Sequence, residues 1–361
     1  MALALTYLLV SSSTVNAFLV KWRTLNSAQY GFALVLEHKT PRPYAYRVLM
    51  PTLVNGLAKL EPIRRTLGRP LLLDRGVQRY MPPDSVAHWS ADLRVKYLIA
   101  GFLMVGFLML AMFSLRGLTR TFYPDSRVMA DAGPILFGLA LPLTFRGESG
   151  FLYDFSEMGL FFLGVHLLAR RRLWAFLGVL PLILLNKESN AVVWVFSAVI
   201  LLSRRPWRQA LLHLGLQAAV IGGILLGLWT AFADSPGGMV ELHAMGNLRH
   251  WSRLSTYLDF MTTGVAFVPV PKPHNIVLLI LLVWLAVSRW RSKPVLARRL
   301  FLASAILNLP LMLLFCYRDE WRNLSLMFPF YYLLACDTIL RFYSDDGLGL
   351  PGSSPGPRRP G

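Results

Sequence analysis

Two carboxylates, Asp154 and Glu157, open an apolar stretch of the chain and are the most conspicuous candidates for chemistry. Their spacing of three residues would place both on one face of a helix. Ionisable groups in such a segment are costly and usually face a cavity or a site, and the positive end of the helix dipole offsets part of the cost. Asp154 is therefore a candidate general base with Glu157 in support. The alternative is a capping pair bound to Arg146.

A lysine and a glutamate, Lys187 and Glu188, lie between two further apolar stretches. A lysine in this position would hold a phosphate as a point charge, and the neighbouring carboxylate would orient it. The alternative is an interfacial anchor. The sequence thus makes Lys187 a candidate phosphate ligand and Glu188 a supporting residue.

The short connection from Tyr317 to Asn323 carries several charged side chains. Arg318 and Arg322 are four residues apart, which would put two guanidinium groups on one helix face. Such a pair suits the bidentate binding of a phosphate. Three neighbours would support it, or would form with it a purely structural surface network: Asp319, Glu320 and Asn323.

The first long connection offers a second set of candidates. Glu37 and His38 are able to supply acid–base chemistry, and Arg42 and Arg47 are able to bind phosphate. Tyr46 stands beside Arg47 as a supporting residue. Each of these residues taken alone is also explained by a structural role.

The composition places these candidates in a membrane protein. Of the 361 residues, 55% are hydrophobic and only 16% are charged, against about 25% charged in soluble domains. The net charge of +18 resides mostly in connections that flank apolar runs, which predicts contact with anionic lipids and no nucleic-acid partner. Neither cysteine has a partner at metal-ligand spacing, so no metal or other cofactor is indicated.

The apolar runs predict an all-α bundle with about ten transmembrane spans. Residues 1–344 would form the membrane domain, with outer loops at 21–96 and 233–273, and 345–361 would be a disordered cytoplasmic tail. The first run is expected to be retained as a span, because no Lys or Arg precedes it as in a signal peptide. The predicted spans are ~4–20, 97–115, 128–145, 151–169, 173–186, 190–203, 209–232, 274–289, 300–316 and 324–341.

The distribution of basic residues predicts the orientation. Alternate short connections hold fourteen Lys and Arg in one set and four in the other, and the richer set is expected to be cytoplasmic. Both termini then lie in the cytoplasm. The connection with Arg146 and Glu148, two further supporting residues, reaches the outer face together with the candidates above. The stretch from Tyr46 to Leu60 is predicted to be an interfacial or re-entrant helix, and Leu248 to Phe260 an amphipathic one.

Four segments carry a family resemblance: Pro43–Pro51, Asp154, Lys187–Ser189 and Glu320–Asn323. In these and in its layout over residues 1–341 the chain resembles a group of bacterial polytopic membrane proteins that are similar to the GT-C superfamily of integral membrane glycosyltransferases. That resemblance implies a first span leading into a large outer loop with helices on the membrane. It also implies a polyprenyl-phosphate sugar donor, chemistry on the outer face, and a loop carboxylate as base. Glu37 is the residue that it implicates, with Asp154 as the second candidate.

The leading functional hypothesis is accordingly a glycosyltransferase-like protein of the bacterial inner membrane. Its partners would be membrane lipids, a lipid-linked sugar donor, and a glycan or lipid acceptor. Two alternatives stay open: a transporter or flippase for a lipid-linked glycan or another anionic solute, and a non-catalytic scaffold subunit of an envelope complex.

Overall fold

The computed structural model describes residues 1–19, 23–69, 89–144, 150–238, 240–262, 269–318 and 320–345. The α-helices in these residues are α1 (Ala2–Leu19), α2 (Phe32–Leu36), α3 (Leu49–Ala58), α4 (Glu61–Leu67), α5 (Ala91–Phe122), α6 (Arg127–Ala140), α7 (Asp154–Ala169), α8 (Leu173–Asn186), α9 (Val193–Arg204), α10 (Trp207–Ala231), α11 (Ala244–Trp251), α12 (Leu254–Tyr257), α13 (Ile276–Val287), α14 (Val295–Phe315) and α15 (Phe328–Asp345). Short 3-10 helices cover Arg23–Asn26, Tyr44–Tyr46, Leu141–Leu143, Glu188–Val192, Trp290–Ser292 and Trp321–Leu324.

One short pair of strands accompanies the helices. β1 (Phe260–Thr262) and β2 (Pro269–Pro271) pair antiparallel, with Phe260 opposite Pro271. The all-α class predicted from the apolar runs is confirmed apart from this pair, which the hydropathy pattern did not indicate.

Each predicted span coincides with one α-helix, namely α1, α5 to α10, and α13 to α15. Four of them, α1, α5, α10 and α14, are long and apolar enough to cross a membrane. These four helices indicate a membrane protein. The predicted disordered tail from 345 onward lies outside the described residues except for its first residue, which ends α15.

Local signals explain why α5 is longer than the apolar run that predicts it. The helix begins at Ala91 because the Ser90 hydroxyl accepts a hydrogen bond from the Leu93 N–H (3.2 Å), and Asp92 follows in the first turn, where the helix dipole favours an anion. Asn275 caps α13 in the same way by accepting from the Val277 N–H (3.1 Å). Apolar length alone therefore misplaced the ends of helices that capping residues determine.

Of the two predicted surface helices, the first is present and the second is divided. The stretch from Tyr46 to Leu60 contains the helix α3 (Leu49–Ala58), which packs on α2 and α5. The predicted helix from Leu248 to Phe260 is wrong in its bounds, because the chain forms α11 and then α12 with a break at Ser252. The earlier start of α11 follows from Asn247, whose side chain bonds to the C-terminal carbonyls of α14 and fixes the first turn of α11 there.

Helix α7 occupies the centre of the bundle. All of its residues except Leu163 and His166 are buried, and it packs chiefly on α5, then on α8 and α9. Gly159 allows a close approach to α5, since a Cβ there would lie 2.5 Å from the Phe107 carbonyl oxygen. A helix so completely covered by protein is able to begin with two carboxylates, provided that neighbouring elements supply partners.

The apolar side chains of α10, α13 and α14 face outward instead. Large exposed hydrophobic residues run along all three helices: Leu211, Leu212, Leu226 and Trp229; Val277, Ile280, Val283 and Trp284; Leu302, Ile306 and Leu313. A water-soluble protein rarely leaves such extended apolar surfaces uncovered. Hydrocarbon is the environment that these helices fit.

Candidate active site

Asp154, the first residue of α7, accepts a backbone hydrogen bond and forms an ion pair. Its Oδ2 accepts a hydrogen bond from the Phe151 N–H (2.7 Å). Arg322 donates from Nη1 to Oδ1 and Oδ2 at 3.1 and 2.9 Å. As the spacing predicts, Asp154 and Glu157 lie together in the first turn of α7. The capping alternative assigned Arg146 as their partner, and that residue lies outside the described residues.

Arg322 is the most enclosed cation of the site. Besides Asp154 it binds Glu320, with Nη2 2.8 Å from Oε1, and its guanidinium lies over the Phe151 ring at 4.5 Å. Burial opposes the charge, but Asp154 and Glu320 together raise the pKa of Arg322 above its usual range. Burial would likewise raise the pKa of Glu320, yet the charge and hydrogen bonds of Arg322 hold it below its usual range. Arg322 and Glu320 are therefore both ionised near neutral pH.

A second ion pair joins α7 to the end of α8. The Lys187 Nζ lies 3.0 and 3.2 Å from the two oxygens of Glu157, whose Oε1 also accepts from the Ser325 hydroxyl (3.0 Å). Asn323 links this pair to the first, because its Oδ1 accepts from Lys187 (3.4 Å) and its Nδ2 donates to Glu320 (2.9 Å). The result is one continuous network, here called the ion-pair cluster: Asp154, Glu157, Lys187, Glu320, Arg322, Asn323 and Ser325.

The first long connection approaches the ion-pair cluster through Arg47, which contacts residues adjacent to it. Its guanidinium lies between the rings of Tyr44 and Tyr153, 4.5 and 4.3 Å from their centroids, and donates to the Tyr153 hydroxyl. Its Nε lies 3.7 Å from Glu188 Oε2. Tyr153 stacks in turn on Phe151 at 5.3 Å. Arg47 thus connects the segment before α3 to the residues that begin α7.

Arg318 has a different environment from Arg322. The shared helix face predicted for the two arginines is wrong, because Arg318 has left-handed backbone (φ 37°) before the 3-10 helix that contains Arg322. Its side chain is exposed and lies over the Tyr317 ring at 5.1 Å. Together with His243 and the start of α11 these residues line a cleft of about 240 Å³. Arg318 pairs with no carboxylate among the described residues.

Several predicted residues lie at the edge of this arrangement. Glu37 is exposed and pairs with Lys39 (2.9 Å), which lowers its pKa through a hydrogen bond and charge. The His38 and Tyr46 rings both lie 6.3 Å from that of Phe232. None of these side chains contacts the ion-pair cluster in any interaction of the described residues.

Arg42 lies nearby on the same connection. Its backbone N–H donates to the Pro236 carbonyl (2.7 Å), and its Nε is buried without a hydrogen-bond partner in the described residues. Glu148 and Asp319 lie outside the described residues, as Arg146 does. The candidates therefore divide into the ion-pair cluster with Arg47 and Glu188, and a peripheral group of Glu37, His38, Arg42, Tyr46 and Arg318, in which Glu37 and Arg318 are exposed and Tyr46 is buried.

Sequence reasoning missed residues that hold the cluster together. Asn186 accepts from the Ser156 hydroxyl (2.5 Å) and donates to the Tyr153 carbonyl (3.1 Å), which ties the end of α8 to the start of α7. Ser325, which donates to Glu157, was also missed, and so was Asn247, which lies outside the cluster and accepts from the Arg318 N–H. The available signal was a polar residue within an apolar run, since such a group is buried only with a partner.

The charges of the site nearly balance. Four carboxylates, Asp154, Glu157, Glu188 and Glu320, face three cations, Arg47, Lys187 and Arg322. An added anion must therefore compete with a carboxylate for a cation, and each anion that binds releases a carboxylate. Among the described residues no group of three or more His, Cys, Asp or Glu side chains is arranged to hold a metal ion.

Comparison of the chain with family models, with curated proteins and with solved structures found no match. The resemblance to the GT-C superfamily stays a prediction.

Proposed function

We propose that this protein is a membrane glycosyltransferase-like enzyme of the GT-C type, which moves a sugar from a polyprenyl-phosphate donor to a lipid-linked or cell-envelope acceptor. In this proposal the chain crosses the bacterial inner membrane ten times and keeps both termini in the cytoplasm. The end of the bundle that carries the ion-pair cluster then faces the extracytoplasmic side. The excess of fourteen Lys and Arg over four in alternate connections supports this orientation.

The observation that carries the proposal is the position of Arg322 between two carboxylates. Its guanidinium binds Asp154 at 2.9 Å and Glu320 at 2.8 Å inside a network built from separate segments of the chain. A donor phosphate is an anion of the kind that a guanidinium binds bidentately. If the phosphate takes Arg322, the carboxylate that it displaces loses its cation and becomes a better proton acceptor.

The reaction then follows from these two roles. The released carboxylate of Asp154 takes the proton of the acceptor hydroxyl, and the acceptor oxygen attacks the anomeric carbon of the sugar. The bond from that carbon to the phosphate oxygen breaks, and the electron pair leaves with polyprenyl phosphate. The cations offset the negative charge on the leaving phosphate.

The remaining candidates have supporting positions in this scheme. Arg318 is exposed at its cleft and would make the first contact with the phosphate, and Arg42 lies on the same connection as Arg47. Lys187 and Arg47 hold the other two carboxylates, Glu157 and Glu188. Glu37, on the surface with His38, is the alternative base that the family resemblance implicates.

The proposal is tested by sugar transfer in proteoliposomes. Polyprenyl-phosphate sugars labelled in growing bacteria are incorporated with purified protein, and released polyprenyl phosphate is measured by mass spectrometry. Arg318→Ala is the informative variant, because it removes an exposed cation without uncovering a buried charge. We expect its kcat/KM to fall by about tenfold or more, as for loss of one charged phosphate contact. Lys59→Gln, an exposed cation of the first connection, is the matched control and should retain activity.

Three results would overturn the assignment. Movement of the labelled lipid between leaflets without chemical change would identify a transporter. Full transfer by Arg318→Ala and by Asp154→Asn, each folded and as abundant as the wild type, would remove both the phosphate ligand and the base. No transfer by the wild type in the presence of labelled donor and bacterial envelope acceptors would favour a scaffold.

A further inference from the structure

The opposite end of the bundle carries a surface that the proposed function does not use. Three connections meet there: the one between α7 and α8, the one between α9 and α10, and the start of α14. The Arg204 Nη1 donates to the Ala169 carbonyl at the end of α7 (2.8 Å). The Arg299 Nη1 lies 3.4 Å from the Ser203 hydroxyl at the end of α9. Helix α9 packs on α7, α10 and α14, so the three connections are neighbours.

Exposed arginines cover this surface. Those with exposed side chains, here called the arginine patch, are Arg170, Arg171, Arg172, Arg208 and Arg299. None of them pairs with a carboxylate among the described residues. Their repulsion extends to the neighbouring Arg204, whose pKa is lowered by burial and then by the charge of Arg171. A concentration of like charge without counter-charges favours an anionic ligand.

The borders of the arginine patch are apolar. Trp207 is 63% exposed and lies beside Arg208, whose guanidinium is 5.4 Å from the ring centroid. Trp174, two residues after Arg172, is 73% exposed. Leu211 and Leu212 continue the exposed apolar surface along the first turns of α10. A nucleic acid would leave the leucines uncovered, whereas tryptophan and leucine beside arginine match the boundary between lipid headgroups and acyl chains.

We propose that the arginine patch binds the phosphate headgroups of anionic phospholipids, with Trp174, Trp207 and the leucines of α10 against the acyl chains. The proposal rests on the convergence of three connections and on their exposed side chains. It is independent of the glycosyltransferase assignment, because it involves neither the ion-pair cluster nor Arg318.

The test is lipid binding by the full-length protein purified in a neutral detergent. Native mass spectrometry measures the affinity for phosphatidylglycerol and for phosphatidylcholine in mixed micelles. Each arginine at an anionic lipid surface is expected to contribute a factor of about five. The variant Arg172→Gln/Arg208→Gln/Arg299→Gln removes one exposed arginine from each connection and should weaken phosphatidylglycerol binding by at least about tenfold. Binding of phosphatidylcholine should not change.

Two further variants keep the result interpretable. Lys59→Gln/Arg64→Gln/Arg65→Gln removes the same charge from exposed residues at 59–65 and should bind phosphatidylglycerol like the wild type. Arg172→Lys/Arg208→Lys/Arg299→Lys keeps the charge and should retain most of the affinity for phosphatidylglycerol. If the glutamine variant is unstable, loss of that affinity in the lysine variant would contradict the proposal. Binding that weakens with rising salt is expected, because these charges are exposed.

Competitors distinguish the sources of the anion. Displacement of the lipid by millimolar inorganic phosphate would mean a free-phosphate site and would overturn the lipid assignment. Tighter binding of a single-stranded oligonucleotide than of phosphatidylglycerol would overturn it as well, in favour of nucleic acid. An equal loss of lipid binding in the control variant at 59–65 would reduce the effect to net charge and would also contradict the proposal.

Discussion

Two buried lysines at opposite ends of the bundle differ in how their charge is compensated. Lys187, at the end of α8, binds the carboxylate of Glu157 at 3.0 Å. Lys293, just before α14, donates to neutral groups: the carbonyls of Leu334 and Leu285 at 2.5 and 3.3 Å, and the hydroxyl of Thr338 at 2.6 Å. Burial lowers the pKa of Lys293, and the charge of Asp337 offsets part of that effect.

The difference extends beyond the two lysines. At the end with the ion-pair cluster, each buried cation is matched by a buried carboxylate from a distant segment, so the ionised state of each group depends on its partners. At the end with the arginine patch, several cations bind backbone carbonyls, as Arg204 does, or face outward, although Arg116 pairs there with the half-exposed Asp131 (2.6 Å). Substitution of one charged group at the first end should therefore destabilise its partners as well. At the second end the effect of a substitution should stay with the residue that is changed.

The largest effect is expected from Arg322→Ala. The substitution leaves Asp154 and Glu320 buried without their cation, and breaking a buried pair in this way costs about 3–5 kcal/mol. Lys293→Met removes a cation whose hydrogen bonds all go to neutral acceptors, and should cost about 1–3 kcal/mol for the hydrogen bonds lost. Thermal unfolding in detergent micelles measures both. A loss for Lys293→Met as large as that for Arg322→Ala would break the comparison between the two ends.

An intermediate effect is expected at Lys187. Lys187→Met strands the Glu157 carboxylate, which is 2% exposed, and should destabilise the protein by about 3 kcal/mol. Adding Glu157→Gln removes the stranded charge and should restore about 1 kcal/mol or more. The free energies of unfolding of both single variants and the double variant form the cycle. Strict additivity would show that the two side chains do not act as a pair.

The smallest effect is expected at the arginine patch. Arg208→Ala removes an exposed guanidinium that no carboxylate compensates, and should change the free energy of unfolding by less than about 0.5 kcal/mol. Arg65→Ala, which breaks an exposed pair with Glu61 (2.7 Å), is the matched comparison and should be similarly mild. A loss above about 2 kcal/mol at Arg208 would assign it a structural role and contradict local behaviour at this end.

The positions of the helices were predictable because they depend on local properties. Long apolar runs predicted each of the helices from α5 to α10, and the spacing of Asp154 and Glu157 predicted one helical turn. The errors lie where local pattern competes with contacts made elsewhere. Arg318 and Arg322 have helical spacing, but the backbone between them turns left-handed at Arg318, and the side chain of Asn247 fixes that turn by accepting from the Arg318 N–H (2.7 Å).

The sequence by itself determined that this is a helical membrane protein and where its long apolar helices lie. It also determined that connections carrying both acids and bases alternate with purely basic ones. Hydropathy and capping act over a few residues, so they are visible in the chain. Only the tertiary structure decided that Asp154 pairs with Arg322, 168 residues away, and Glu157 with Lys187. Those pairs depend on how closely α7 packs against its neighbours, and no local pattern contains that information.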